Sequence, residues 1–598
     1  MNQNNSIIMS IRSVFAMLVA PWLIVSCGYE KSATTGWNFN DPSNGGFQKV
    51  PFEEQETGPN LVLIEGGSFT MGRVEQDFMY DWNNIPRRVT VSSYYIDQTE
   101  ISNIQWNEYL YWVKRVYSVD YPELYGKALP DTLVWRDKLS YNEPYVDYYL
   151  RHPAYRDYPV VGINWLQATD YCGWRTDRVN EYILVREGIL DHYPDQIGED
   201  NFNTEAYFAN QYNSGKRIEG LPDLNPNSSG YRNVRMEDGI LLPKYRLPTE
   251  AEWEFAAFGL IGNSVGERVV ERRLYPWNGH AVRNPDEAYI GMMLANFKRG
   301  RGDNMGVAGH LNDNADITAP VFSYWPNDYG LYNMAGNVSE WVMDVYRPLS
   351  MEDVQDFRPF RGNVFKTKER DNEGILLDKY DIPMYDINGL VAYLEEMQNE
   401  TNGQLNEQEG NLLAALQEQA GRAKEAYLDD RDYDASVIIV EESIEEIKAA
   451  DEIARIAPVL LKDYATYIKQ RPGELRYRET KVEENLDRRN YKRADNINYV
   501  DGDYKSQINS VHWDQTPEDE RTETSHMYAY PGEGPSQDYS SLINDHARVY
   551  KGASWNDRAY WMVPGTRRFL DERQSTAMIG FRCAMDRVGS PVGLGAAR

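Results

Sequence analysis

Tyr245-Arg246-Leu247-Pro248-Thr249-Glu250-Ala251-Glu252-Trp253-Glu254-Phe255-Ala256-Ala257 is the stretch from which the chain is best read. Pro248 supplies no backbone donor and stops the strand that Leu247 ends. Thr249 can then cap a helix, and Glu252, three residues on, can reach back to it as in a capping box. Trp253 and Phe255 carry aromatic area that only a core can bury. Most of these residues therefore serve as scaffold.

Working outward, Leu61-Val62-Leu63-Ile64 has the pattern of a short buried strand, and the glycines of Glu65-Gly66-Gly67-Ser68-Phe69-Thr70-Met71-Gly72 permit tight turns. Alternation from Arg88 to Ile96 predicts one further strand, and Glu100 to Val116 predicts a helix. Pro159-Val160-Val161-Gly162-Ile163 predicts a strand, after which Asn164 supplies an N-cap for a helix from Trp165 to Asn180. The sum is a mixed α+β pattern with many loops. Between Val391 and Leu460 the character changes, with 17 acidic against 5 basic residues. There Leu412, Leu413, Leu416 and Ala420, and later Val440, Ile444, Ile447 and Ala454, fall near helical spacing. Two acidic amphipathic helices are expected, which either cover a small core of their own or meet a partner. From Glu474 to Asp538 the chain is polar and rich in Tyr, Arg and Asp, and long loops are expected.

At the N-terminus Arg12 precedes an uncharged apolar run from Val14 to Val25, long enough for a signal-peptide core and too short to cross a bilayer. Leu23-Ile24-Val25-Ser26-Cys27 resembles a bacterial lipobox, in which Cys27 becomes the acylated first residue. Lipid chains contribute roughly 0.8 kcal/mol per buried methylene, so two or three hold a protein to a membrane without a spanning helix. Gly28 and Tyr29 carry no acidic export tag, which gives the periplasmic face of the outer membrane as the expected location. Loss of Arg12 leaves 61 basic against 92 acidic side chains, so nucleic acid and anionic lipid heads are unfavourable partners. A length of 598 residues exceeds one ordinary core.

Five blocks occur in order: Pro159 to Trp165 with Tyr171-Cys172-Gly173-Trp174, the block from Tyr245, Pro326 to Trp341, Gly552-Ala553-Ser554-Trp555, and Gly580-Phe581-Arg582-Cys583-Ala584. Together they resemble the formylglycine-generating-enzyme, or sulfatase-modifying-factor, domain family. The resemblance implies an irregular, C-type-lectin-like α+β fold over 61–350 and 546–588. It makes the long acidic and partly helical stretch at 351–545 an insertion within the domain, while the residues themselves give a signal peptide at 1–27, a tether or arm at 28–60 and a tail at 589–598. In active members two cysteines shortly after a Gly-Gly-Ser segment bind copper; counted from Ser554 they fall here at Asp557 and Met562. A carboxylate is a hard ligand and a thioether is neutral, so neither can replace a thiolate. No catalytic residue and no catalytic cofactor are therefore expected. The seven histidines show no metal-binding spacing.

By the same resemblance a structural calcium ion would be held by Asn296 and Asp313 with the carbonyls of Phe297 and Ala315, and another by Asn333 and Glu340 with the carbonyls of Gly336 and Val338. Oxygen-only ligation suits Ca²⁺; the alternative is that these Asn and Asp side chains make turns. A structural bridge between Cys172 and Cys583 is also implied, in an exported protein where those are the cysteines left beside Cys27; the alternative is two buried free thiols. Finally, the lipobox, the Thr34-Thr35-Gly36-Trp37-Asn38-Phe39-Asn40-Asp41-Pro42 segment, an inactive domain and the acidic insertion are together similar to gliding-motility lipoproteins of Bacteroidota. That similarity implies a non-catalytic scaffold whose partners are other gliding and type IX secretion lipoproteins and periplasmic ring components. Two further classes stay open: a peptidoglycan-binding lectin-like module using Trp555, Tyr560 and Trp561, and a divergent enzyme using Asp557 beside Arg558.

Overall fold

The computed structural model describes residues 30–73, 83–118, 122–136, 141–212, 220–228, 230–262, 273–277, 279–299, 315, 317–346, 366–370, 374–377, 475, 477–479 and 546–589. Cys27, Asp313 and the acidic helices expected within 391–460 lie outside the described residues. In chain order the strands are β1 (Leu61–Ile64), β2 (Gly67–Met71), β3 (Arg87–Val91), β4 (Tyr94–Asp97), β5 (Leu221–Pro222), β6 (Tyr231–Arg232) and β7 (Tyr245–Arg246). They continue with β8 (Ser339–Val345), β9 (Lys366–Lys368), β10 (Tyr477–Glu479), β11 (Ala547–Lys551), β12 (Arg568–Asp571), β13 (Ile579–Gly580) and β14 (Ala584–Asp586). The helices are α1 (Asn103–Tyr117), α2 (Pro122–Ala128), α3 (Glu143–Tyr148), α4 (Trp165–Arg186), α5 (Thr204–Phe208) and α6 (Glu250–Gly262).

One antiparallel sheet runs β1-β4-β14-β7, so the end of the chain is built in beside its beginning. A second runs β12-β11-β8-β13, with the last pair parallel. Separate pairs are formed by β2 with β3, β5 with β6 and β9 with β10. The single strand expected from Arg88 to Ile96 is two, because β3 serves β2 while β4 serves β1 and β14 in another sheet. Between them Ser93 Oγ accepts the Gly66 N–H at 3.0 Å. Pro159 to Ile163 is also not a strand. Pro159 bridges Ser102, the Val160 N–H goes to Ile101, and Gly162, at φ 75°, turns the backbone away and donates to Thr576.

The helix starts follow side-chain chemistry. Asn164 Oδ1 accepts from the Gln167 N–H at 2.8 Å while Gln167 Oε1 accepts from the Asn164 N–H at 2.9 Å, and α4 then continues to Arg186, beyond the expected Asn180. Thr249 and Glu252 make the same reciprocal pair at 3.1 and 2.8 Å. For α1 the cap is Ser102, whose N–H donates to Gln105 Oε1 at 2.8 Å, so Glu100 stands before the helix and turns inward. The buried faces of α1 and α4 join the end of the chain in an aromatic core. Trp106 stacks on Tyr171 at 5.4 Å, and Phe581 meets both rings edge-on at 5.9 and 5.4 Å.

Two peripheral segments are fastened to this body. The N-terminal arm is held through Gln48, which donates to Pro222 O and accepts from Arg232, both at 2.9 Å, and through Glu56, which takes both Nη groups of Arg186 at 2.9 and 2.7 Å. The β9–β10 pair docks beside α5, where the Tyr477 hydroxyl donates to Glu205 and accepts from Lys244 at 3.2 Å, and Leu475 is buried.

Charged groups are buried around α6. Glu250 and Glu254 take Lys551 Nζ at 3.2 and 3.1 Å, Glu250 pairs with Arg567 at 2.8 Å, and Asp344 Oδ2 accepts the Glu250 N–H at 2.7 Å. Burial, reinforced by the charge of Glu250, raises the Asp344 carboxyl from 3.8 to about 7. A carboxyl that holds its proton more tightly in the folded than in the unfolded state contributes stability that is complete below about pH 4 and is lost as pH rises to about 7. Asp344→Asn keeps an acceptor for the Glu250 N–H and should flatten that loss, by up to about 1.4 kcal/mol per pH unit. Urea unfolding of both proteins across this pH range checks it; parallel curves would show that Asp344 does not titrate there.

Candidate functional site

The second sheet places Ser554 and Asp557 at one of its ends, beside Arg568. Lys551 of β11 lies opposite Glu340 of β8, and Tyr550 lies opposite Arg568 of β12, so the turn after β11 leaves the sheet where Ser339 and Arg568 begin their strands. Gly552 takes φ 97°, and a Cβ on it would stand 2.9 Å from the Trp253 ring. Ala553 is left-handed at φ 62°.

After this turn the Ser554 N–H and hydroxyl both donate to Asp557 Oδ2, at 2.8 and 2.6 Å. Arg568 grips the same carboxylate with two guanidinium nitrogens at 2.7 and 2.9 Å and donates to Ser339 Oγ at 2.9 Å. Its guanidinium is also 4.8 Å from the ring centroids of Tyr550 and of Trp561. Asp557 is therefore a fully engaged structural anion. Met562 is wholly buried in a different environment, the apolar cluster of Tyr275, Met293, Phe297 and Ala553. Arg558 donates instead to Arg299 O at 2.9 Å, and the ion-pair partner of Asp557 is Arg568.

The rings considered for glycan stacking have other roles. Trp555 is buried, 6.1 Å from Trp135 and nearly parallel to it, and donates to Ala577 O at 3.0 Å. Tyr560 carries the Arg73 guanidinium at 4.2 Å and meets Trp561 edge-on.

Behind the turn lies a loop within the block from Pro326 to Trp341. Asn333, Gly336 and Asn337 all have positive φ, 53°, 81° and 63°. Glu100 holds this backbone: Asn333 Nδ2 donates to its Oε2 at 2.9 Å and Asn337 Nδ2 to its Oε1 at 3.0 Å. The Gly336 N–H reaches Gly552 O and the Trp555 N–H reaches Asn337 O, which ties the loop to the degenerate turn. Burial first, and then the charge of Glu340, push the Glu100 carboxyl up to about 8. Glu100, Arg568 and Arg582 thus organise the site, and no spacing in the chain signals that Glu100 would.

The two oxygen sets fare differently against a calcium ion. Both Glu340 oxygens are taken by Arg582 at 2.6 Å, and Trp253 Nε1 adds a donor at 2.7 Å. Asn333 turns its amide nitrogen to Glu100 and Val321 O. This second set does not fit an oxygen cage, because its carboxylate is committed to a guanidinium. Asn296 does fit: its Oδ1 is buried with no hydrogen-bond partner, while its Nδ2 donates to Ile317 O at 2.7 Å. Phe297 and Ala315 are buried nearby in the chain.

Cys172 on α4 and Cys583 before β14 are both buried, with their sulfurs 3.5 Å apart, and burial pushes the Cys583 thiol well up. Among the described residues no helix is long and apolar enough to cross a membrane.

Known proteins can be set beside this geometry. A family model for the sulfatase-modifying factor enzyme 1-like domain matches residues 46–377. The formylglycine-generating enzyme of Mus musculus is 25% identical over 307 residues, 48% of this chain, and the match spans 58% of that enzyme's length. The inactive C-alpha-formylglycine-generating enzyme 2 of Bos taurus is 25% identical over 320 residues, 51% of this chain and 75% of the relative. Among solved structures, PvdO from Pseudomonas aeruginosa aligns over 90% of this chain and all of its own, with 11% identity and a TM-score of 0.33. Because the family model accounts for more than half of the 598 residues, the chain belongs to the sulfatase-modifying factor enzyme 1-like domain family.

Proposed function

We propose that the chain is a non-catalytic member of its family, anchored through Cys27 to the periplasmic face of the outer membrane and working as a scaffold of the gliding-motility and type IX secretion machinery. The observation that carries the non-catalytic part is the state of the degenerate site. Asp557 is clamped between Ser554 and Arg568, and Met562 is enclosed in apolar packing, so a thiol-dependent copper centre has neither its ligands nor room to form. Inactivity has a precedent in the inactive bovine relative. The gliding assignment, of the J type, rests on the lipobox, the segment from Thr34 to Pro42 and the acidic insertion. In this role the acidic residues within 351–545 meet a partner with a basic surface, among the other lipoproteins and the ring components of the machinery.

One experiment tests both halves. Purified protein given copper and a Cys-x-Pro-x-Arg peptide should form no aldehyde above a boiled control. Protein drawn from native membranes in mild detergent should bring secretion components with it, and should lose them when 351–545 is deleted. Aldehyde formation, or a deletion that changes neither assembly nor gliding, overturns the proposal.

The calcium reading is kept at Asn296, with the carbonyls of Phe297 and Ala315 and the side chain of Asp313 as the other oxygens. Added Ca²⁺ should raise the melting temperature of the chelator-treated protein, and Asn296→Ala should abolish the rise while Asn333→Ala, if folded, retains it. Equal shifts in all proteins would remove the site.

Oxidation of Cys172 and Cys583 to a disulfide needs the sulfurs to close from 3.5 Å to about 2.05 Å, within the reach of small side-chain rotations. In periplasmically expressed, denatured but unreduced protein neither thiol should react with iodoacetamide, and both should after reduction. Full alkylation without reductant leaves two buried thiols instead.

A further inference from the structure

The chain reaches its described fold early. Glu30 is three residues after Cys27, and three peptide steps of about 3.8 Å place its Cα within roughly 11 Å of the lipidated position. A spacer that short does not hang a body away from a bilayer. The surface that first meets the lipid is therefore the arm at 30–52.

That arm is folded rather than extended. Lys31 bridges Asn38, the Ser32 N–H reaches Trp37 O at 2.8 Å, and the Asn40 N–H reaches Phe47 O at 2.8 Å. The Asn40 side chain holds Lys49 from both sides, accepting its N–H at 2.8 Å and donating to its carbonyl at 3.0 Å. Asp41 caps the turn Pro42–Asn44 through the Ser43 N–H at 3.0 Å. Gly46, at φ 71°, lies so close to the Leu224 backbone that a Cβ would stand 1.8 Å from its carbonyl oxygen. With Gln48 and Glu56 this fixes the arm on the body.

Yet this ordered element turns apolar rings outward. Trp37, Phe47 and Phe52 are 58%, 66% and 55% exposed. Phe47 keeps contact with Phe39 at 5.5 Å, over which Lys49 sits. Exposing rings on ordered backbone costs hydration free energy and returns nothing unless something covers them. The charge of the segment says what can. Glu30, Lys31, Asp41 and Lys49 balance to zero, in a chain whose formal net charge is −30. A second copy of the chain would approach against that overall repulsion. A lipid headgroup layer meets a locally neutral, aromatic surface, the composition that settles at membrane interfaces.

We propose that residues 30–52 are a membrane-seating surface, with Trp37, Phe47 and Phe52 resting in the headgroup layer of the bilayer that holds the chain at Cys27. The body is then docked on the membrane in one orientation through Gly46, Gln48 and Glu56. This rests on the lipid-anchor reading above, and the test separates the two.

Two preparations are compared on zwitterionic phosphatidylethanolamine–phosphatidylcholine vesicles: the chain as processed in cells, and a chain beginning at Gly28 with a hexahistidine tag, held by nickel-chelating lipid. Hydroxyl-radical labelling is read by mass spectrometry with and without vesicles, with exposed Tyr111, Tyr141 and Met236 as internal controls. Labelling of Trp37, Phe47 and Phe52 should fall at least about threefold on vesicles while the controls stay unchanged, as expected for rings sunk roughly 5–10 Å into the interface. Gly46→Ala should spread the protection unevenly by loosening the arm. If the cell-derived chain carries no acyl group but the tagged chain is protected, the surface stands and the anchor reading falls. If the acylated chain binds vesicles and the three rings label as they do in solution, the seating proposal is overturned. Protection that appears without vesicles and grows with protein concentration overturns it as well, in favour of self-association.

Discussion

The buried carboxylate of Asp97 joins parts of the chain that are nearly five hundred residues apart. It accepts two nitrogens of Arg175 at 2.7 and 2.9 Å and the Cys583 N–H at 2.9 Å. Next to it Arg582, also wholly buried, donates to Asp97 O and Tyr332 O and closes on Glu340. Six segments meet there: β4, α4, the loop before β8, β8 itself, the approach to β14, and α6 through Trp253. Removing one partner of such a pair strands a charge in low dielectric, at about 3–5 kcal/mol. Apolar side chains of similar volume would hold the segments as firmly, but they would not fix which strand lies beside β4. With irregular strands of two to seven residues and few long ladders, this polar spine specifies the register that the sheets alone leave open.

A second, half-buried ion pair works apart from this spine. Arg568 and Ser554 make Asp557 a brace between the turn after β11 and the start of β8. Met562 fills space in the cluster around Phe297. One side chain adds pairing and the other packing, so both belong to the frame. Glu100, bonded to Asn333 and Asn337, holds the left-handed backbone of the neighbouring loop in place.

Much of this was legible in the residues. The block from Tyr245 disclosed its strand, cap and buried aromatics because all three act between neighbours in sequence, and Asn164 named its helix for the same reason. Arg88 to Ile96 read as one strand because alternation reports which side is buried and not which sheet does the burying. Pro159 to Ile163 read as a strand because its apolar run is a buried one, while its backbone partners, Ile101 and Thr576, lie far away along the chain. Glu340 read as a metal ligand by resemblance; its true partner, Arg582, is 242 residues off and only the folded chain brings it there. Long-range pairing of buried charge leaves no periodic trace.

The β9–β10 pair gives the chain a property of another kind. Lys366 lies opposite Glu479 and Lys368 opposite Tyr477, so the polypeptide departs from the body and comes back at adjacent points. Everything between is a closed excursion. Its end-to-end distance is set by two neighbouring strands, and doubling its length adds only about 0.6 kcal/mol of closure entropy. Because that term grows so slowly with length, residues gained or lost in the interval would cost the paired strands little.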